Sequence, residues 1–280
     1  MTKNADHNQP DRAGSHQKLI RPEHIAFNVV DPAAIARWYS INLAMKIARK
    51  SQPPANTYFI ADASNKMILE LYNNPEVPVP AYETLSYMSL HLAFMSDDLA
   101  ATRNALLSAG ATVAEDVSTT SAGDKVLMMR DPWGLAIQFV VRISPMVKPT
   151  HLGFEHFALN ALDSESITSW YTQNLGMIMV RKGSAPTNTN FIADAGNNVV
   201  MEMYNNANFQ SLDLWKINHL SMHFAFVVDD VKGMKDKLLG AGAKIVEDIR
   251  EGATGDQVLV LRDPRGLAIQ FVRRGEPILK

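Results

Sequence analysis

The 280-residue chain contains no cysteine. A disulfide framework and a thiolate metal site are therefore both excluded, and any metal must be held by histidine, carboxylate or amide oxygen. An excess of one charge sign is also missing: 27 Lys and Arg stand against 29 Asp and Glu, a formal net charge of −2. That balance leaves no electrostatic footprint for nucleic acid or an anionic membrane. No apolar run approaches the length of a membrane span. The opening stretch, residues 1–21, is polar and has no apolar segment of the signal-peptide kind, so it is expected to be a flexible lead-in. Together these absences point to a cytoplasmic protein whose partners are small molecules, with no nucleic acid and no membrane among them.

What the chain does have is a repeat. Displaced by 132 residues it matches itself without a gap. Pro-Glu-His24 falls on Phe-Glu-His156, Trp38-Tyr39 on Trp170-Tyr171, and Phe59-Ile-Ala-Asp-Ala63 on Phe191-Ile-Ala-Asp-Ala195. Near the end of each copy, Arg130-Asp-Pro-Trp-Gly falls on Arg262-Asp-Pro-Arg-Gly. The expected domains are residues 22–145 and 153–275. Residues 146–152 form the linker, overlapping the proline-bearing run Ser144-Pro-Met-Val-Lys-Pro-Thr150.

A weaker symmetry divides each copy again. Four segments open with His24, His91, His156 and His223, alternate with a period of two, and end on an Asp suited to cap a helix. A helical pattern follows, then three short strand-like runs. In the first quarter the runs lie near Met45–Lys50, Thr57–Asp62 and Met67–Tyr72. In the second they lie near Thr112–Asp116, Lys125–Arg130 and Leu135–Val141. The fold class is α+β: paired βαβββ modules whose curved sheets close into open, barrel-like cups.

Alternation assigns side chains to faces. Four polar residues per copy interrupt otherwise apolar strands: His24, Glu70, His91 and Gln138, with His156, Glu202, His223 and Gln270 at identical spacing. An unpaired carboxylate among apolar side chains is costly. Convergence of two imidazoles, a carboxylate and an amide oxygen on one divalent cation removes the cost and leaves positions open for substrate. Such a set suits Zn²⁺, Ni²⁺, Fe²⁺, Co²⁺ or Mn²⁺. The plainer alternative is a set of hydrogen-bonded structural histidines. Asn28 and Asn160 share the inward face and are candidate substrate contacts, with a structural hydrogen bond as the alternative.

The His-φ-Ala-φ strand, Trp170-Tyr-Thr-Gln-Asn-Leu-Gly-Met177, Leu69-Glu-Leu-Tyr-Asn73 and Asp-Pro-x-Gly-Leu-Ala-Ile-Gln resemble the vicinal oxygen chelate superfamily, the glyoxalase/bleomycin-resistance/dioxygenase group. The resemblance covers the chain from about residue 22 onward. It implies two tandem domains, one divalent metal per cup, and the eight residues above as ligands. Modules pair within a copy or across copies; in the crossed case His24 and Glu70 join His223 and Gln270. The molecule is then a monomer with an internal pseudo-dimer, or a homodimer.

The Glu-Leu-Tyr-Asn run looks most like glyoxalase I. Gln138 and Gln270, however, stand where glyoxalase I and the extradiol dioxygenases resemble each other in carrying Glu. That departure counts against lactoylglutathione lyase activity and against ring cleavage. Methylmalonyl-CoA epimerase is similar in having two His, one Glu and one Gln, at exchanged strand positions.

The function expected is a metal-dependent isomerase, epimerase or lyase acting on a small oxygenated substrate through an enediolate stabilised by the metal, with Glu70 and Glu202 as proton-exchanging ligands. A non-haem iron dioxygenase and a non-catalytic, drug-binding protein are the alternatives. Trp38, Tyr39, Trp170, Tyr171, Met128 and Met129 are expected in the core. Lys50, Lys182, Arg130 and Arg262 are expected at solvated strand ends, with anion binding as the alternative. The segments Ser118–Asp124 and Arg250–Asp256 are candidate closing loops, with ordinary hairpin connections as the alternative. Trp133 against Arg265 suggests that the two sites differ in specificity.

Overall fold

In a computed structural model, residues 20–52, 56–183, 185–252 and 255–279 are described. The expected lead-in lies outside them as far as residue 19, and Ile20 and Arg21 already belong to a strand.

Four βαβββ modules follow one another. The first holds β1 (Ile20–Asn28), α1 (Pro32–Asn42), β2 (Lys46–Lys50), β3 (Tyr58–Ala61) and β4 (Ile68–Tyr72). The second holds β5 (Leu90–Met95), α2 (Leu99–Ser108), β6 (Thr112–Thr119), β7 (Lys125–Arg130) and β8 (Ala136–Val141). The third holds β9 (Phe154–Asn160), α3 (Ser164–Leu175), β10 (Ile178–Lys182), β11 (Asn190–Ala193) and β12 (Val200–Tyr204). The fourth holds β13 (Met222–Val228), α4 (Val231–Gly240), β14 (Lys244–Glu251), β15 (Gln257–Arg262) and β16 (Ala268–Arg273).

Each helix starts where a short acid can satisfy its free amides. Asp31, Asp98, Asp163 and Asp230 accept from the backbone N–H groups of Ala34, Ala100 and Ala101, Ser166 and Gly233. Pro32 in the first turn of α1 loses no hydrogen bond there. Gly176, which caps α3, adopts φ 67°, a left-handed conformation that glycine reaches without a Cβ penalty.

The strands form two eight-stranded sheets that cross between the copies. One runs β14-β15-β16-β13-β1-β4-β3-β2 and the other β10-β11-β12-β9-β5-β8-β7-β6. At their centres β1 pairs antiparallel with β13, and β5 with β9. Module one thus closes with module four, and module two with module three.

The helical layer is organised the other way, within each copy. The Trp38 indole N–H donates to the Ala109 carbonyl at 2.8 Å, and Trp170 repeats this with Ala241. The buried Tyr39 and Tyr171 hydroxyls donate to Asp131 and Asp263 at 2.9 and 3.0 Å. Between the layers, apolar residues on the sheet faces opposite the histidines make one core, in which Phe157 of one sheet stacks on Phe224 of the other, centroids 5.9 Å apart. Met129 is wholly buried in that core. Among the described residues no helix is long and apolar enough to cross a membrane.

Candidate metal centres at the floor of two cups

The crossed pairing decides which polar residues meet. In the first cup, parallel pairing of β1 with β4 sets Ala26 opposite Glu70, and β13 with β16 sets Ala225 opposite Gln270. His24 Nε2 lies 2.9 Å from Glu70 Oε2, His223 Nε2 lies 3.7 Å from the same oxygen, and the two Nε2 atoms are 3.4 Å apart. The Gln270 amide nitrogen is 3.3 Å from His223 Nε2. In the second cup His156 Nε2 and His91 Nε2 stand 2.9 and 3.7 Å from Glu202 Oε2 and 3.4 Å from each other. Gln138 of β8 sits opposite Ala93 of β5 and lines the cavity above Glu202. The eight residues expected from sequence therefore assemble as two sets of four, each spanning both copies.

The donor set suits a divalent cation. In each cup one ligand atom from each of two histidines and a glutamate lies within 4.8 Å of the others. Two imidazoles that turn Nε2 toward one carboxylate oxygen can exchange that crowded contact for a shared ion. A half-turn of the Gln amide brings its oxygen to the same point.

Burial and charge distribute the protons unequally. Burial pushes the His24 imidazole down, but the Glu70 and Glu23 carboxylates outweigh it and raise its pKa above 6.5. Burial wins at His223, which is held at about 4 despite Glu70, and positive charge at His24 opposes protonation further. The second cup repeats the pattern, with His156 raised and His91 lowered. Burial works against ionisation of Glu70 and Glu202 too, yet the neighbouring histidines lower both, Glu202 to well below the usual carboxylate range.

Two buried carboxylates behind the histidines were not anticipated. Glu23 Oε2 accepts from His24 Nδ1 at 2.9 Å, and Glu155 Oε2 from His156 Nδ1 at 2.8 Å. Strict alternation would turn each glutamate away from the histidine that follows it. A register shift between Pro22 and His24, matched at Glu155, bulges the strand there and brings both side chains to one side. Arg274 grips Glu23 through Nε at 2.9 Å and Nη2 at 2.5 Å, and Arg142 grips Glu155 at 2.9 and 2.6 Å. Each guanidinium also donates to an aspartate, Asp256 at 2.8 Å or Asp124 at 3.0 Å. Burial raises the glutamates' affinity for a proton, but histidine and arginine overcome it and hold each at about 2. A signal was present in the repeat: Arg142 falls on Arg274 and Asp124 on Asp256.

Several other expectations change. The Asn28 amide donates to the carbonyls of Asn74 and Val77 and accepts from Asn74 N–H; Asn160 does the same with Asn206 and Phe209. Both are buried, with both amide hydrogens spent on the loop after β4 or β12, so they are loop anchors rather than open substrate contacts. Arg130 and Arg262 are half-buried rather than free at strand ends: each clamps three backbone carbonyls, those of Tyr82, Leu85 and Gly134 or of Leu214, Ile217 and Gly266. Trp133 packs on Trp38, and Arg265 pairs with Asp163 beside α3, so their difference lies on the helical side and not in a cup. Met128 is buried as expected, on the sheet face that also lines the cavity.

The second cup opens into a cavity of about 890 Å³ lined by Glu202, Gln138, Met128, Phe191, Tyr204 and Arg142 among others. Ser118, Thr120 and Asp124 of the candidate closing loop line it too. That loop is a pinned hairpin: Thr120 N–H donates to the Asp124 carbonyl at 2.8 Å, and the Asp124 carboxylate accepts from Arg142, Arg181 and Ile143 N–H. In the other candidate loop residues 253 and 254 lie outside the described residues.

Two family models match the chain in tandem. Residues 153–271 match the Glyoxalase/Bleomycin resistance protein/Dioxygenase superfamily, and residues 24–140 match a Glyoxalase-like domain. The chain belongs to the glyoxalase/bleomycin resistance/dioxygenase superfamily. Its architecture is similar to that of glyoxalase I from Zea mays, with a TM-score of 0.75 and 19% identity over 91% of this chain and 93% of that one. A single-substitution mutant of the maize enzyme gives 0.74 at the same identity, covering 92% and 93%. A Bacillus subtilis protein proposed as a dioxygenase gives 0.64 at 11% identity, covering 92% and 86%. At these identities the likeness is one of fold. No curated protein matches the chain in sequence.

Proposed function

We propose that this chain is a divalent-metal-dependent enzyme that moves a proton at the carbon beside a carbonyl, a glyoxalase-like isomerase, epimerase or lyase. The observation that carries this reading is the placement of one carboxylate oxygen per cup, Glu70 Oε2 or Glu202 Oε2, against the Nε2 atoms of two histidines from different modules. His24, Glu70, His223 and Gln270 would hold one ion, and His156, Glu202, His91 and Gln138 the other. When bound, the metal supplies Lewis acidity toward adjacent substrate oxygens.

The chain's own residues divide the remaining work. Glu202 sits on the cavity floor, is ionised at neutral pH, and is the group that takes and returns a proton at its carboxylate oxygen. Gln138 cannot titrate and orients oxygen atoms. Phe191, Val126 and Met128 form an apolar wall that limits water near the reacting carbon. Arg142 is committed to Glu155 and Asp124, so it fixes the wall and does not receive a substrate anion.

The test is exchange. Zn²⁺-loaded protein is incubated in deuterium oxide with a panel of α-hydroxycarbonyl compounds, and loss of the α-proton signal is followed by NMR. Exchange that disappears in Glu70→Gln/Glu202→Gln supports the reading. Exchange that survives in the double variant assigns the proton elsewhere. Oxygen uptake with ferrous iron and a phenol would replace it with dioxygenase chemistry, and unchanged ligand held by metal-free protein with a binding role.

A further inference from the structure

The geometry points to Glu23 and Glu155 as positioning residues that fix the tautomer and ring orientation of His24 and His156, so that each Nε2 presents its lone pair to the cup. The inference rests on the reading of these histidines as metal ligands.

A neutral imidazole carries one N–H, and the hydrogen bond made by one nitrogen determines which nitrogen is left to coordinate. His24 and His156 are wholly buried, and each places Nδ1 against a carboxylate at 2.9 or 2.8 Å. The carboxylate accepts from Nδ1 and holds a proton there, so that Nε2, which otherwise faces the Glu70 or Glu202 carboxylate at 2.9 Å, is the nitrogen that gives up its proton when a cation takes its place between them. The arginine supports this. Arg274 and Arg142 donate through two nitrogens to Glu23 and Glu155, fixing the carboxylate plane, and each is braced by an aspartate on its far side.

The partner histidines are held more weakly. His223 and His91 turn Nδ1 to the neutral backbone carbonyls of His219 and Tyr87, at 3.1 and 3.0 Å. Each cup therefore has one carboxylate-backed and one carbonyl-backed histidine, and the carboxylate-backed one lies nearer the glutamate ligand. The same four-member chain of Asp, Arg, Glu and His occurs in both cups, on strands that must bulge to form it. A buried ionic chain is not required for packing, since apolar side chains of similar volume can stabilise as well or better. Orientation of a ligand is a role that apolar replacements could not fill.

The duplicated site supplies its own control. In Glu155→Met the acceptor behind His156 is lost, while the first cup is untouched and reports that the fold stands. Zn²⁺ titration should show two sites in the wild type, and in the variant one unchanged site and one weakened by roughly 10–100-fold. Glu23→Met should weaken the other site instead, and Glu155→Gln, which keeps an acceptor without the charge, should fall between Met and wild type. Long-range ¹H–¹⁵N spectra of metal-free protein at pH 9, in a Glu70→Gln/Glu202→Gln background that removes the competing carboxylates at Nε2, should show the Nδ1–H form at His24 and His156, lost only at the cup where Glu23 or Glu155 is replaced by Met. Uptake of two equally tight Zn²⁺ ions by Glu155→Met, with Nδ1–H retained at His156, would overturn the inference. If the wild type takes up no Zn²⁺, the ligand reading fails by itself; the spectra then decide whether Glu155 sets the tautomer.

Discussion

His24 and His223 are 199 residues apart in sequence, and their Nε2 atoms are 3.4 Å apart across the β1–β13 pair. A cup is thus a joint product of the two copies. The copies are further locked by a second central pair, β5 with β9, and by the shared core in which Phe157 stacks on Phe224.

The linker should therefore be dispensable for holding the halves together. Lys148 and Pro149 are exposed, between buried Met146 and Val147 and the start of β9. Protein carrying a protease site inserted between them, once cut, should elute as one particle at the size of the intact chain. Elution of separate halves without denaturant would contradict the crossed sheets.

The arginine chain should matter to stability in its own right. Arg142→Met leaves Glu155 and Asp124 facing each other's charge with only His156 and Arg181 to offset it. Removing one partner of a buried ion pair costs about 3–5 kcal/mol, and urea unfolding should show a loss of that order. A loss below about 1 kcal/mol, the surface-pair range, would mean that water reaches the chain.

Acid should expose the same chain. Glu23 and Glu155 have folded pKa values of about 2 against an ordinary 4.5, so the folded state binds fewer protons than the unfolded one between those values. Their stabilisation is present above about pH 4.5 and is lost as pH falls toward 2. Unfolding free energies measured across that window should decline, and decline less steeply in Glu23→Gln/Glu155→Gln. Equal slopes would contradict the assignment.

Metal uptake should release protons unequally. His24 and His156 titrate above 6.5 in the metal-free protein, whereas His223 is already neutral, with a pKa of about 4. At pH 6.5, Zn²⁺ binding should expel about one proton per cup, since a ligand must give up its proton to coordinate. Calorimetry in two buffers of different ionisation heat would measure it. Release of about two per cup would mean that both histidines are charged beforehand.

Much of this was legible in the sequence. The offset of 132 residues and the period-two strands located all sixteen strands' neighbourhoods and the eight cup residues, because a polar side chain on an apolar face is conspicuous. Glu23 and Glu155 were hidden by the same rule, since a bulge reverses the face that alternation assigns. Asn28 lies on the face expected, but what its amide meets depends on the loop at Asn74 and Val77, which no local pattern encodes. The pairing of modules could not be read either. Both arrangements put two His, one Glu and one Gln in each cup, so composition carries no vote and only the strand order separates them.

The most direct test of a metal centre shared between the copies is the metal content of two double variants after loading with Zn²⁺ and desalting. His24→Ala/His223→Ala removes two ligands from one cup and should retain about one equivalent, while His24→Ala/His91→Ala damages both cups and should retain almost none. The reverse pattern would contradict the crossed pairing, and wild-type protein with no retained Zn²⁺ would contradict the metal centre itself.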